Sequence, residues 1–230
     1  KLVTANIDGI GTDAHKKRRT IKYLEYLLLR FDVACITEAR AHDLEDLRHS
    51  LKGCEMFQCL ADTTKKADAG VFIVVRQQVL QHYDIGSLYS SETTQGRGRI
   101  VSITLTPKIG SQVACSSSRI TCAYLQSGDS AAAVTDKVAQ LEEIFKIPKD
   151  TDFEFLGGDL NIKYGKNSVA STKLEELLNQ RGMAEATQDQ HTFFRMNEAE
   201  ITSSHIDRWF SNITPVQELL VEPTAAVIKN

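Results

Sequence analysis

Apolar residues along the first third of the chain recur with two different spacings. From about residue 14 to residue 30 they return every three or four positions, as on the buried face of an amphipathic helix. Short, mostly apolar runs bounded by polar residues are typical of buried strands, and they cover residues 2 to 7, 33 to 37, 56 to 60 and 70 to 75. A second helical stretch near residues 43 to 51 completes an alternation of strands and helices.

The middle of the chain is richer in strand patterns than in helical ones. The predicted strands cover residues 79 to 85, 99 to 105, 112 to 115 and 119 to 124, and turn residues such as Gly96 and Gly98 separate them. Further on, the pattern predicts helices over residues 131 to 145 and 171 to 181, and strands over residues 153 to 157, 206 to 210 and 216 to 221.

Because short antiparallel strands and helices are interleaved, we predict a four-layer α/β sandwich, with two packed, mainly antiparallel β-sheets flanked by helices. A doubly wound parallel sheet is the alternative, and it fits less well because residues 70 to 124 lack the crossover helices it needs. No repeat or Pro-rich linker divides the 230 residues. We therefore expect one domain spanning residues 1 to 230.

Composition narrows the possible partners. No apolar run approaches the roughly 20 residues of a membrane span, so we expect no membrane partner. The net charge of −3 argues against nucleic-acid binding by bulk electrostatics and leaves local basic patches, such as residues 15 to 19. Such patches are more often part of an ordinary solvated surface. Five cysteines without a CxxC pair favour a reduced, intracellular protein.

Four polar clusters lie where predicted strands end, and α/β folds often gather catalytic groups there. They are Asn6-Ile7-Asp8-Gly9, Thr37-Glu38-Ala39-Arg40, Gly157-Gly158-Asp159-Leu160-Asn161 and Ser204-His205-Ile206-Asp207-Arg208-Trp209. In the first and third, two polar side chains at i and i+2 would face one side of an extended backbone. The double glycine would let backbone or substrate approach Asp159 closely. A single strand-end carboxylate is more often a cap or turn residue.

The order of these clusters resembles the endonuclease/exonuclease/phosphatase superfamily. Gly158-Asp159-Leu160-Asn161 is similar to the family's Asp-x-Asn motif, and Thr37 departs from the Gln that usually precedes the metal-binding Glu. The resemblance implies that Glu38 and Asp8 hold Mg²⁺ or Mn²⁺ and that Asp159 is the general base. It further implies that Asn6 and Asn161 donate to the phosphate or hold Asp159, and that Tyr124 contacts the phosphate.

Two features of the family pattern concern the last part of the chain. Asp207 resembles the Asp that orients a catalytic His, which the family carries in a closing Ser-Asp-His strand. The sequence ends at Asn230, about where that motif begins, so we expect the motif to follow in a longer protein. Residues that border the DNA groove in this interpretation are Arg97, Arg99, Lys163, Phe193 and Phe194.

Tyr124 favours the apurinic and retrotransposon branches over phosphatases, because phosphatases tend to carry His at that strand end. The compact span from Asn161 to Asp207 favours the retrotransposon type. The resemblance then implies a nuclear enzyme that nicks double-stranded DNA and leaves a 3′-hydroxyl for a reverse transcriptase in the same polyprotein. Alternatives are an abasic-site repair endonuclease, a nucleic-acid-binding module that has lost its chemistry, and a small-molecule phosphatase.

Overall fold

The computed structural model describes residues 1–10, 13–61, 69–111, 116–162, 168–185, 193–196, 201–204 and 207–213. Within them the helices are α1 (Ala14–Arg30), α2 (Glu45–Ser50), α3 (Gln77–Leu80), α4 (Ala131–Lys146) and α5 (Val169–Arg181). The strands are β1 (Leu2–Asn6), β2 (Val33–Thr37), β3 (Cys54–Cys59), β4 (Val71–Arg76), β5 (Tyr83–Ser90), β6 (Ile100–Pro107), β7 (Ser118–Tyr124), β8 (Phe153–Asp159), β9 (Ala184–Glu185), β10 (Phe193–Met196), β11 (Ile201–Ser204) and β12 (Asp207–Ser211).

Polar residues at the ends of the three long helices set their boundaries. The Asp13 carboxylate accepts hydrogen bonds from the first free amides of α1, and the hydroxyls of Ser130 and Ser168 do the same for α4 and α5. These side chains satisfy backbone donors that have no partner within the helix. Helix α5 ends at Gly182, whose φ of 65° lies in the left-handed region that glycine adopts without strain.

The strands form two mixed sheets, as predicted. One has the order β1-β2-β4-β3 and the other β5-β6-β7-β8-β12-β9. Only the pairs β1/β2 and β7/β8 are parallel among these described strands, and the other neighbours are antiparallel. Strands β10 and β11 form a separate antiparallel hairpin. A doubly wound parallel sheet is therefore excluded.

Three hydrophobic clusters separate four layers. The first lies between helices α1 and α2 and the four-stranded sheet, and includes Leu24, Leu27 and Leu47. The second fills the space between the two sheets, around Ile73 and Trp209. The third lies where α4 and α5 cover the outer face of the six-stranded sheet. The four-layer sandwich expected from the sequence is confirmed.

Three strands predicted from the sequence either differ from the described structure or lie outside it. The strand predicted at residues 79 to 85 was wrong in its first half, because Val79 and Leu80 belong to helix α3, where Leu80 is buried. Strand β5 continues to Ser90. Its second half was not predicted, because the apolar Leu88 faces solvent and breaks the alternation of apolar and polar residues. The predicted strands at residues 112 to 115 and 216 to 221 lie outside the described residues.

No helix in the described part of the chain combines the length and the apolar character that crossing a membrane requires.

Candidate active site

The polar strand ends predicted from the sequence meet at one edge of the sandwich. Asn6 at the end of β1 pairs with Thr37 at the end of β2. In the other sheet Tyr124, at the end of β7, lies beside Asp159, at the end of β8. The backbone of Asp207 at the start of β12 is paired with that of Asp159 on its other side. Parallel pairing within each sheet thus brings strand ends from distant parts of the sequence together.

Asn6 connects the two sheets at this edge. Its side-chain Nδ2 donates to Glu38 Oε1 at 2.8 Å and to Asp159 Oδ2 at 3.3 Å. Asn6 is 9% exposed and Asp159 is 1% exposed. Two carboxylates from different sheets are therefore held within hydrogen-bond distance of one amide nitrogen, which offsets part of their mutual repulsion.

The residue pairs Asn6/Asp8 and Asp159/Asn161 are held at the site by turns rather than by the extended backbone that we expected. The Asp8 amide donates to Asn6 Oδ1 at 3.0 Å, and the Asn161 amide donates to Asp159 Oδ1 at 3.1 Å. Both are Asx turns, in which the side chain of the first residue bonds the backbone two residues on. The prediction of an extended backbone was therefore wrong, because each strand ends at the first member of its pair.

Left-handed backbone is concentrated here. Among the described residues, the non-glycine residues with positive φ are Asp8 (47°), Glu38 (55°), Arg40 (46°) and Asn161 (49°). Each such conformation is unfavourable for an L-residue, and strain of this kind clusters at functional sites. Backbone bonds hold the turn after Glu38, since the amides of Ala39 and Arg40 donate to the carbonyls of Gly70 and Ala69.

Arg40 was not among the residues selected from the sequence. Its guanidinium forms an ion pair with Glu38 Oε2, and its Nη1 lies 2.8 Å from Asp8 Oδ1. These contacts with two carboxylates raise the Arg40 pKa, against the opposing effect of its own burial. The sequence feature that could have identified Arg40 is a basic residue two positions after the Glu at a strand end.

The side-chain amide of Asn161 performs a structural task within the site. Its Nδ2 donates to the carbonyl oxygen of Leu125 at 3.1 Å, so the segment after β8 is tied to the segment after β7. The Leu125 amide in turn donates to the carbonyl of Asp159 at 3.0 Å. Together these bonds keep Asp159 and Tyr124 adjacent beyond the ends of their strands.

The double glycine before Asp159 has a packing role. A Cβ added to Gly157 would overlap the indole ring of Trp209, and one added to Gly158 would overlap the carbonyl oxygen of Ala123. We expected the two glycines to allow close approach of either backbone or substrate. At Gly158 the close neighbour is backbone, because β7 passes beside it. The space next to Gly157 is filled by a core side chain rather than left for substrate.

Tyr124 lies against the carboxylates and is 6% exposed. Burial raises the pKa of its hydroxyl, and the nearby negative charges of Glu38 and Asp159 raise the pKa further. The phenol, like any tyrosine, is protonated at neutral pH and can donate a hydrogen bond, and the raised pKa keeps the proton on it at higher pH. Arg99 stacks on the ring, with its guanidinium carbon 5.0 Å from the ring centroid.

The two arginines of the turn after β5 differ in position. Arg97 is exposed, as expected of a residue bordering a groove. Arg99 is 8% exposed and its Nη1 donates to the carbonyl of Tyr124 at 3.5 Å. Arg99 is thus buried with its guanidinium on the Tyr124 ring, and this position does not support the expected outward DNA contact.

The turn that carries Arg97 is anchored to helix α4. The hydroxyl of Thr93 donates to Glu143 Oε2 at 2.6 Å, and Gln140 Nε2 donates to the carbonyl of Gln95 at 2.6 Å. A Cβ added to Gly96 would overlap the Glu143 carboxylate. A turn packed this closely presents Arg97 from a defined position.

The remaining expected DNA contacts are only partly described. Lys163 lies outside the described residues. Phe193 and Phe194 belong to strand β10, which pairs with β11 in the separate hairpin, and their side chains lie outside the described part. The hairpin itself was not among the strands predicted from the sequence.

Carboxylate oxygens, the ligand type that Mg²⁺ and Mn²⁺ prefer, are the metal-ligating groups that the described site residues offer. Among the described side chains, no three His, Cys, Asp or Glu residues lie together in a cluster that could hold a metal. Asp8 and Glu38 offer carboxylate oxygens on either side of the Arg40 guanidinium. Mg²⁺ binds through one or two carboxylates and keeps several waters, whereas zinc sites use three or four protein ligands.

Comparison with solved structures confirms the fold. The endonuclease domain of TRAS1, a telomere-specific non-LTR retrotransposon, is 16% identical over 90% of this chain and 83% of its own, with a TM-score of 0.59. AP endonuclease LMAP from Leishmania major is 12% identical over 91% and 78%, with a TM-score of 0.64. The mannosyl-6-phosphatase Bt3783 of Bacteroides thetaiotaomicron VPI-5482 is 16% identical over 91% and 84%, with a TM-score of 0.63.

These neighbours are members of the endonuclease/exonuclease/phosphatase superfamily, and the chain has their fold. No family model matches the sequence, and no curated protein matches it either. The neighbours include nucleases and a phosphatase, so the fold leaves the reaction open.

Proposed function

We propose that this protein is a Mg²⁺-dependent DNA endonuclease. The observation that carries the proposal is the bridge from the Asn6 amide to Glu38 and Asp159, which joins a metal-binding candidate and a base candidate in one site. A nuclease role fits the endonucleases among the structural neighbours. The intact set of Asn6, Glu38, Asp159 and Asn161 argues against a module that has lost its chemistry.

Glu38 and Asp8 would hold the divalent ion, Mg²⁺ or Mn²⁺. When bound there, the ion supplies positive charge that offsets the negative charge of the scissile phosphate. The protein supplies the remaining groups. Asp159 would accept a proton from the attacking water. Its two oxygens are held by hydrogen bonds from the backbone amide of Asn161 and the side-chain amide of Asn6. Tyr124, whose phenol is protonated at neutral pH, would donate to a phosphate oxygen.

Asp207 would accept a hydrogen bond from a catalytic imidazole. Its backbone position directly across from Asp159 suits that role. In this proposal the imidazole comes from a segment that carries a Ser-Asp-His motif. An Asp in that position fixes the tautomer of its His and favours the charged form, as in a serine-protease triad.

DNA would lie over the edge where the strand ends meet. The exposed N-terminal half of α1 carries Lys16, Arg18 and Arg19, and Lys16 Nζ contacts the carbonyl of Asp8 at the site. The exposed Arg97 lies on the anchored turn. These groups would contact phosphates, which supply affinity without reading sequence. Contacts from Lys163, Phe193 and Phe194 stay part of the proposal.

We further propose that the enzyme nicks double-stranded DNA in the nucleus and leaves a 3′-hydroxyl from which a reverse transcriptase in the same polyprotein primes. Tyr124 at the end of β7 and the likeness to a retrotransposon endonuclease domain support this branch. The likeness to an AP endonuclease supports a second candidate, an abasic-site repair enzyme. The two differ in substrate and use the same chemistry.

The test is a nicking assay on supercoiled plasmid with Mg²⁺, with Mn²⁺ and with EDTA. It uses this protein and a variant extended at its C-terminus by a segment that carries a Ser-Asp-His motif. Glu38→Gln should abolish nicking, while Glu25→Gln on the exposed face of α1 should not. An oligonucleotide with one abasic site separates the candidates, because a repair enzyme cuts it far faster than intact duplex. Metal-independent nicking, or none by the extended chain, would reject the proposal.

A further inference from the structure

Arg40 occupies the position between the two proposed metal ligands. One guanidinium nitrogen lies 2.8 Å from Asp8 Oδ1 and the other contacts Glu38 Oε2. Glu38 Oε1 already accepts from Asn6, so a divalent ion bound by Glu38 would compete with Arg40 for Oε2. A guanidinium stays charged at any accessible pH, so Arg40 cannot yield these oxygens by losing a proton. It can yield them only by moving.

The surroundings of Arg40 hold its backbone and stem in place and leave its charged end accessible. Its amide donates to the carbonyl of Ala69, and its φ of 46° turns the side chain back over the site. Gly9 leaves room for the stem, since a Cβ at Gly9 would lie 3.3 Å from Arg40 Cβ. The side chain is nevertheless 45% exposed, whereas that of Glu38 is 12% exposed.

We propose that Arg40 is a built-in counter-ion that competes with the divalent metal for Asp8 and Glu38. The inference rests on the proposed function, because it takes these carboxylates as the metal ligands. Without metal, the guanidinium neutralises two carboxylates that would otherwise repel each other and Asp159. When a divalent ion binds, Arg40 leaves at least one carboxylate, because two cations on the same oxygens repel. A half-exposed guanidinium can turn toward water at little cost.

The opposite role for Arg40 predicts the opposite result. If the guanidinium only holds Asp8 and Glu38 in the correct geometry, its removal loosens the ligands and weakens metal binding. If it competes, its removal frees the ligands and strengthens metal binding. The sign of the change in metal affinity therefore distinguishes competition from positioning, and it does so without any measurement of DNA cleavage.

The experiment measures Mn²⁺ binding from the loss of the free-ion signal in electron paramagnetic resonance. We expect Arg40→Met to bind Mn²⁺ about tenfold more tightly than the unaltered protein, the scale of removing two partly exposed ion pairs. Arg40→Lys, which keeps one charge without the planar fork, should fall between them. Arg48→Met, an exposed arginine on α2 that contacts Gln58, is the matched control. Equal or weaker binding by Arg40→Met would overturn the proposal.

Thermal unfolding supplies a second measurement. Arg40→Met should unfold at a lower temperature than the unaltered protein in EDTA, and added Mn²⁺ should raise its Tm by the larger increment. A smaller increment would also overturn the proposal.

Glu38→Gln in both backgrounds separates this proposal from the proposed function. Binding that depends on Glu38 but is equal with and without Arg40 rejects only the competition. Binding that is indifferent to Glu38 rejects the metal site and the competition together.

Discussion

Replacing Asn6 by alanine is the most direct perturbation of the site, because one side chain joins the two sheets there. The change removes the donor to Glu38 Oε1 at 2.8 Å and to Asp159 Oδ2 at 3.3 Å, and the acceptor for the Asp8 amide at 3.0 Å. Asp159, at 1% exposure, has little access to water as a replacement partner.

The magnitude follows from these three bonds. A hydrogen bond to a charged group contributes about 1.5–3 kcal/mol and a neutral one about 1 kcal/mol. The 3.3 Å bond belongs at the lower end, and water entering beside Glu38 restores part of the loss. We expect Asn6→Ala to lower the free energy of unfolding by about 3 kcal/mol. Asn6→Asp, with the same shape but no donor, should cost at least as much because it adds a third negative charge.

The assay is urea unfolding followed by circular dichroism at pH 7 in EDTA. Asn179→Ala, on the exposed face of α5, is the control for an asparagine without such contacts. Metal should restore part of the stability of both Asn6 variants, because positive charge between the carboxylates replaces some of what the amide supplied. A loss below about 1 kcal/mol for Asn6→Ala would refute the view that this amide holds the carboxylates together.

Three further predictions concern the same site. Glu38→Ala and Asp159→Ala should each reduce nicking by at least about a hundredfold with the fold retained, and near-normal cleavage by a folded Asp159→Ala protein would remove Asp159 as the base. Arg97→Ala should alter the pattern of cleavage sites on an end-labelled duplex and leave metal dependence intact; an unchanged pattern would take the turn out of the DNA interface. Tyr124 should stay protonated past pH 10, where an ordinary tyrosine is half ionised. Its raised pKa means that the folded state keeps a proton that the unfolded state loses, so stability is present below about pH 10 and falls above it. Tyr124→Phe should remove one step from the 295 nm absorbance titration and flatten that alkaline loss of stability; a Tyr124 that ionises at its ordinary pH would contradict the burial argument.

Local sequence determined which segments fold as strands and helices wherever one face is clearly apolar. Leu24 and Leu27 at helical spacing defined α1, and the unbroken apolar run from Val33 to Ile36 defined β2. The strand-end positions of Asn6, Glu38 and Asp159 were also visible, because polar residues end apolar runs. Where a side chain such as Leu88 faces solvent within a strand, no periodicity marks it, and β5 was placed too early.

Tertiary structure decided what each polar group contacts. Nothing near Arg99 in the sequence indicates that its guanidinium lies under Tyr124, because that contact depends on the pairing of β6 with β7. Gly157 could have served substrate or packing, and only the position of Trp209 on the neighbouring β12 shows that it serves packing. Arg40 was not selected from the sequence because one of its ion-pair partners, Asp8, lies at the end of a different strand. Sequence thus specified the elements through local burial patterns, whereas contacts between residues distant in the chain exist only once both sheets are packed.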